Sequence, residues 1–322
     1  MIEHRDKAWF EREYSPSSCI EDINVYIQQY CDQSQAVTQQ AIANNTVIRA
    51  IQYGASEDEV LDLYLPDAIA NNNNSQSGTQ AGKKLQVYIH GGYWQELSKD
   101  ESSFAAPAFQ QAGHYFAVIN YSLAPKASLT EIVQQNRRAL VWLATNAEKL
   151  GFDADEIYLS GSSAGAHLCL MMLQTNWQEY LSQLDGAGIN EKPRCQPESQ
   201  PNSQLKSPDI RGVCAVSGIY DIEPLLHTTI NNPLQLTAQE VEANSPLNHA
   251  TPQQCPVIIA YGDNETNEFK RQSLMMKTQL EQEGFELTLG EISQRNHFDV
   301  ILDLGQVNSW LFKQVQRQMN TE

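Results

Sequence analysis

Three separated groups of residues in this chain carry the side chains needed for acyl transfer. The first is Gly161-Ser162-Ser163-Ala164-Gly165, which follows the strand-like run Glu156–Ser160 and precedes the helix-like run Ala166–Leu181. A G-x-S-x-G sequence between a strand and a helix forces a tight turn, with small residues on either side and the serine pushed out at its apex. Ser163 would then face the positive end of the following helix, where developing negative charge is favoured.

The second group is His90-Gly91-Gly92-Tyr93-Trp94, at the end of the strand-like run Leu85–His90. Acyl transfer passes through an oxyanion, which backbone N–H groups stabilise when glycine geometry turns them into a pocket. The expected donors are the N–H groups of Gly92, Tyr93 and Ala164. Gly91 is read as permitting the turn, and His90 as pinning the loop by a hydrogen bond to nearby backbone.

The third group supplies a base and an acid. His297, in Asn296-His297-Phe298-Asp299, is the only histidine beyond residue 249. As base it would take the Ser163 proton and later return it to the leaving group. Behind the strand-like run Val257–Tyr261 comes Gly262-Asp263-Asn264-Glu265. Glu265, three residues past the glycine, is the favoured acid and Asp263 the alternative; Asp299 is too near His297 in sequence. His4, His114, His167, His227 and His249 form no metal-binding pattern, and no phosphate-binding glycine loop occurs. No metal and no cofactor are expected. His167 is read as a packing residue, and Tyr93, Trp94 and Tyr220 as candidates for an apolar pocket.

These groups need a scaffold. Alternating strands and helices run from residue 85 to the C-terminal helix Val307–Met319. They include the strands Tyr115–Tyr121, Ile210–Ser217 and Phe285–Glu291 and the helices Phe104–Ala112, Leu129–Leu150 and Glu268–Gln282. Such alternation predicts an α/β fold with a mostly parallel sheet and helices on both faces. Upstream, Ile20–Ala43 has helical spacing, and Thr46–Tyr53 and Val60–Leu65 read as a hairpin. Asn71–Gly82 and Gly186–Pro208 are polar and read as loops. The organisation expected is one domain over residues 1–322, with an N-terminal helical segment 17–43 and a cap region 221–252.

The 322 residues are 41% hydrophobic, enough for a sizeable core, and carry a net charge of −18. So acidic a surface repels nucleic acid and anionic membrane, so neither is expected as a partner. A small-molecule substrate is expected, and a homodimer is compatible with the sequence. The six cysteines are scattered. Cys169, Cys214 and Cys255 lie in or beside apolar runs and read as buried free thiols. The charged N-terminus and the lack of any run of about 20 apolar residues lead to an expectation of a cytoplasmic protein.

Taken together, the motifs resemble the kynurenine formamidases (arylformamidases) among the α/β-hydrolases, close to the hormone-sensitive-lipase-like esterases. The resemblance rests on the H-G-G-x-W loop at His90–Trp94, the G-x-S-A-G-A-H-L elbow at Gly161–Leu168 and Asn296-His297-Phe298. Tyr14-Ser15-Pro16-Ser17, the block Ser217–Leu225 and the block Glu268–Ser273 also resemble family segments. Ser162 stands where the family often has histidine, and Glu265 where it often has aspartate. The resemblance implies hydrolysis of N-formyl-kynurenine to kynurenine and formate in tryptophan breakdown. A broader carboxylesterase or carbamate/amide hydrolase would use the same residues. A catalytically silent binding protein would lack one of them, and none is missing.

Overall fold

The computed structural model describes residues 5–67, 84–186 and 204–320. The loop expected at Asn71–Gly82 and most of Gly186–Pro208 lie outside the described residues.

An eight-stranded sheet runs in the order β1-β2-β4-β3-β5-β6-β7-β8. Its strands are β1 (Val47–Gln52), β2 (Val60–Tyr64), β3 (Leu85–Ile89), β4 (Tyr115–Ile119), β5 (Ile157–Ser162), β6 (Ile210–Val216), β7 (Val257–Asn264) and β8 (Leu287–Asn296). Only β2 runs antiparallel to its neighbours, pairing with β1 as the expected hairpin and with β4. From β4 to β8 every pairing is parallel.

Both faces of a parallel sheet must be covered, and the strands show it. Leu85, Val87 and Ile89 of β3 join one apolar cluster, with Tyr115, Ala117 and Ile119 of β4. The intervening Tyr88, Phe116 and Val118 join a second cluster on the opposite face. This is the two-residue alternation of a strand with helices on either side. The helices are α1 (Lys7–Glu13), α2 (Asn24–Ala43), α3 (Ala106–Gln111), α4 (Leu129–Leu150), α5 (Ala164–Leu173), α6 (Trp177–Gly186), α7 (Asn231–Leu234), α8 (Ala238–Asn244), α9 (Asn267–Gln282) and α10 (Trp310–Asn320). α4 is bounded as its sequence predicts: the Ser128 hydroxyl accepts from the Glu131 N–H, and Gly151 ends the helix at φ +96°. Its apolar stripe, including Ile132, Val133, Leu140 and Leu143, packs into the first cluster.

Two elements differ from expectation. The helix predicted over Ala166–Leu181 is two helices, because Asn176 starts a new one: its side-chain oxygen accepts from the Glu179 N–H at 3.2 Å. The last strand continues to Asn296 instead of ending at Glu291, paired with β7 out to Asn264↔Asn296. That extension carries the chain directly into His297. Cys169, Cys214 and Cys255 are buried free thiols. Among the described residues, no helix is long and apolar enough to cross a membrane.

Candidate active site

The carboxyl ends of β3, β5, β7 and β8 bring the three sequence groups to one edge of the sheet. β5 ends at Ser162, and Ser163 turns the chain into α5 with φ +57° and ψ −119°. A left-handed backbone costs a residue with a side chain about 1–2 kcal/mol. The turn is held by the Ser163 N–H, which donates to the Val216 carbonyl at 2.8 Å, and by the start of α5. Gly165 is required by close approach: a Cβ there would lie 2.0 Å from the Ile89 carbonyl oxygen.

The loop after β3 packs over this turn. A Cβ on Gly91 would sit 2.7 Å from the Ser162 carbonyl oxygen, so Gly91 is needed for proximity to the elbow. The turn itself falls to Gly92, at φ +93°. The backbone N–H groups of Gly92, Tyr93 and Ala164 donate to no other backbone group among the described residues. His90 behaves as expected of a pin. Its Nδ1 bonds the Gly91 carbonyl at 2.9 Å, its ring stacks on Tyr121 at 4.1 Å, and the Tyr121 hydroxyl donates to the His90 carbonyl. Burial pulls the His90 pKa down to about 4, so the ring is neutral near pH 7.

Behind the loop from β8, His297 Nδ1 donates to Glu265 Oε2 at 2.9 Å. The other carboxylate oxygen accepts from the Ser217 hydroxyl at 2.6 Å and the Gly262 N–H at 2.7 Å. Three donors thus fix one buried carboxylate. Asp263, the alternative acid, is exposed, a hydrogen bond from the Gln294 backbone lowers its pKa, and it makes no hydrogen bond to the imidazole. Asp299 accepts from the Asn296 N–H at 2.7 Å, closing the His297 turn. With Nδ1 committed, Nε2 is the ring nitrogen left to accept a proton. The imidazole is held edge-on between Phe269 and Phe298.

Ser163, His297, Gly92 and Tyr93 all line one cavity of about 260 Å³. The Ser163 hydroxyl makes no hydrogen bond of 3.5 Å or less to a described residue, a looseness common in unliganded hydrolases. Of the predicted pocket residues, Tyr93 lines the cavity. Trp94 is instead buried edge-on against His167, and Tyr220 is fully buried. His167 is a packing residue, its Nε2 bonded to the Asn244 carbonyl at 2.6 Å.

Sequence reasoning missed the opposite wall. Ser15, Pro16, Ser17, Ile23, Ile27 and Tyr30, all from the N-terminal segment, line the same cavity. The Tyr30 hydroxyl donates to the Phe298 carbonyl, and Asn296 Nδ2 donates to the Tyr26 hydroxyl at 2.9 Å. The three-and-four spacing of Ile23, Ile27 and Tyr30 was legible as a helix face, but not what that face covers. No group of three or more His, Cys, Asp or Glu that could hold a metal ion occurs among the described residues.

The BD-FAE family model matches residues 61–280. A kynurenine formamidase from Danio rerio is 32% identical over 314 residues, spanning 95% of this chain and 94% of that protein. Among solved structures, a protein from Silicibacter sp. TM1040 superposes with a TM-score of 0.72 at 24% identity, covering 94% of this chain and 97% of that one. Esterase B from Lactobacillus rhamnosis superposes at 0.64 with 16% identity, covering 93% and 96%. The structural likenesses establish the α/β-hydrolase fold.

Proposed function

The chain belongs to the kynurenine formamidase family of α/β-hydrolases, and from that premise we propose that it is a serine hydrolase cleaving the formamide of N-formyl-L-kynurenine in tryptophan degradation. Ser163 is the nucleophile, His297 the general base and then acid, and Glu265 the carboxylate that orients the imidazole. The observation that carries the reading is the convergence of Ser163, His297 and the Gly92-Tyr93 backbone on one cavity, with Glu265 bonded behind the ring.

Ser163 Oγ attacks the formyl carbon while His297 Nε2 takes its proton. The carbonyl oxygen becomes an oxyanion held by the N–H groups of Gly92, Tyr93 and Ala164. His297 then protonates the departing anilino nitrogen, and the C–N bond breaks to release kynurenine. A water, deprotonated by His297, attacks the formyl-serine ester. Formate leaves and the serine regains its proton. Glutamate serves in place of aspartate because its longer arm still reaches Nδ1 with an unstrained 2.9 Å bond.

The cavity suits the substrate. About 260 Å³ is near the lower end of ligand pockets, which favours a one-carbon acyl group over a long chain. Tyr30, Tyr88, Tyr93, Phe104 and Phe298 give it aromatic walls for an aryl leaving group.

The test is hydrolysis of N-formyl-L-kynurenine beside p-nitrophenyl acetate. The expected outcome is a higher kcat/KM for the formamide, and a loss of about a thousandfold or more on both substrates in Ser163→Ala. Ester turnover without formamide turnover would overturn the substrate assignment in favour of a broader carboxylesterase. Retained turnover in Ser163→Ala would overturn the nucleophile.

A further inference from the structure

The loop that carries two of the oxyanion donors is strained. Gly92, Tyr93 and Trp94 follow one another at φ +93°, +49° and +59°, and Leu97 sits at +68°. Two of the three consecutive left-handed residues carry bulky side chains, at about 1–2 kcal/mol each. Such a backbone persists only where its surroundings over-determine it. On the elbow side, the Ala124 N–H donates to the Trp94 carbonyl at 2.8 Å, and the Trp94 ring packs on His167. On the other side, the Tyr93 hydroxyl donates to the Tyr14 carbonyl at 2.6 Å.

Tyr14 is itself anchored. It is 1% exposed, and its hydroxyl donates to Glu268 Oε2 at 2.9 Å. Glu268 is gripped by Arg271 and lies in the first turn of α9, three residues beyond Glu265. A second tie runs alongside, from the Thr266 hydroxyl to the Glu13 carbonyl at 2.6 Å. The N-terminal strap therefore joins the oxyanion loop to the loop of the acid.

We propose that Tyr14 is a positioning residue, which through its link to the Tyr93 side chain holds the Gly92 and Tyr93 N–H groups aimed at the developing oxyanion. The Tyr14 ring does not reach the cavity; its effect passes through the backbone carbonyl that Tyr93 grips. The inference rests on the hydrolase reading of the site but not on the formamide as substrate.

The test is a double-mutant cycle of Tyr93→Phe and Tyr14→Phe, assayed on N-formyl-L-kynurenine and on p-nitrophenyl acetate, with active sites counted by a phosphonate that forms a tetrahedral serine adduct. Misaiming one or two donors costs less than deleting one. The expected loss in kcat per active site is about tenfold for Tyr93→Phe and about fivefold for Tyr14→Phe, with KM within about twofold. The double variant is expected to be no slower than Tyr93→Phe, because the Tyr14–Glu268 bond acts on the oxyanion loop only through the Tyr93–Tyr14 bond that Tyr93→Phe already removes. Phosphonate capture should slow in the same proportion, since its adduct carries the same oxyanion. A purely structural role would lower the folded fraction and leave kcat per active site unchanged, and that result overturns the proposal. So do losses that multiply in the double variant. Should Tyr93→Phe fail to fold, kcat for Tyr14→Phe decides alone: within twofold of the parent overturns, a fivefold loss supports. If only the ester is turned over, the substrate assignment fails while the ester kinetics still decide the role of Tyr14.

Discussion

The elbow and the N-terminal strap face each other across one cavity, yet they are held in different ways. The elbow is fixed by backbone against backbone. Gly161, Gly165 and Gly91 lie so close to neighbouring main chain that a single added carbon would meet it at 2.5, 2.0 and 2.7 Å. The strap is fixed by side-chain hydroxyls reaching carbonyls and carboxylates far away in sequence, as in Tyr14 to Glu268 and Thr266 to Glu13. Steric contact fixes the backbone that presents Ser163. Hydrogen bonds, each worth about 1 kcal/mol net, hold a wall that can adjust. Ser163 therefore sits in the rigid half and much of the cavity wall in the adjustable half.

The largest expected effect lies at the carboxylate between these halves. Glu265→Ala should lower kcat by about a thousandfold, because the imidazole loses its orienting partner, while Asp263→Ala stays within about twofold. Steady-state kinetics on either substrate checks this, and a comparable loss in Asp263→Ala would reassign the acid. Next comes the elbow. Gly165→Ala should destabilise the fold by about 3 kcal/mol or more, since neither Ile89 nor the helix start can give way without moving the sheet. Urea unfolding measures it, and a loss below about 1 kcal/mol would show that the steric account of the elbow is wrong.

The smallest effect concerns acid. His167, on the elbow helix, is fully buried, and desolvation lowers its pKa to about 4. A histidine whose folded pKa lies below its unfolded value binds its proton more readily when unfolded. Its contribution to stability is complete above about pH 6.5 and is lost progressively as pH falls toward 4. Between pH 7.5 and 5.5 that amounts to about 1 kcal/mol. His167→Gln should flatten the fall in unfolding free energy over that range by this amount. An unchanged slope would place the acid sensitivity elsewhere in the molecule.

Legibility in the sequence followed the same division. Ser163, the glycine loop and His297 were readable because each is a short local pattern at the end of a strand. Spacing from Gly262 favours Glu265 over Asp263; in the fold three donors meet at Glu265, while Asp263 is exposed. The hairpin, α4 and the alternation of strands and helices were equally local. The break at Asn176 was present in the sequence as a helix-capping residue but was outweighed by the apolar run around it. Residue type alone suggests Trp94 and Tyr220 for the pocket, and packing takes both into the core.

The amino-acid order by itself made the candidate reactive residues readable, because a tight turn and its glycines are demanded by neighbours a few positions away. Only the tertiary structure decided what encloses them. The wall from Ser15 to Tyr30 reaches the site through contacts such as Tyr14 with Glu268 and Tyr30 with the Phe298 carbonyl, separated by more than 250 residues. A hydroxyl on a helix face has many acceptors it could meet, and only the folded chain selects one.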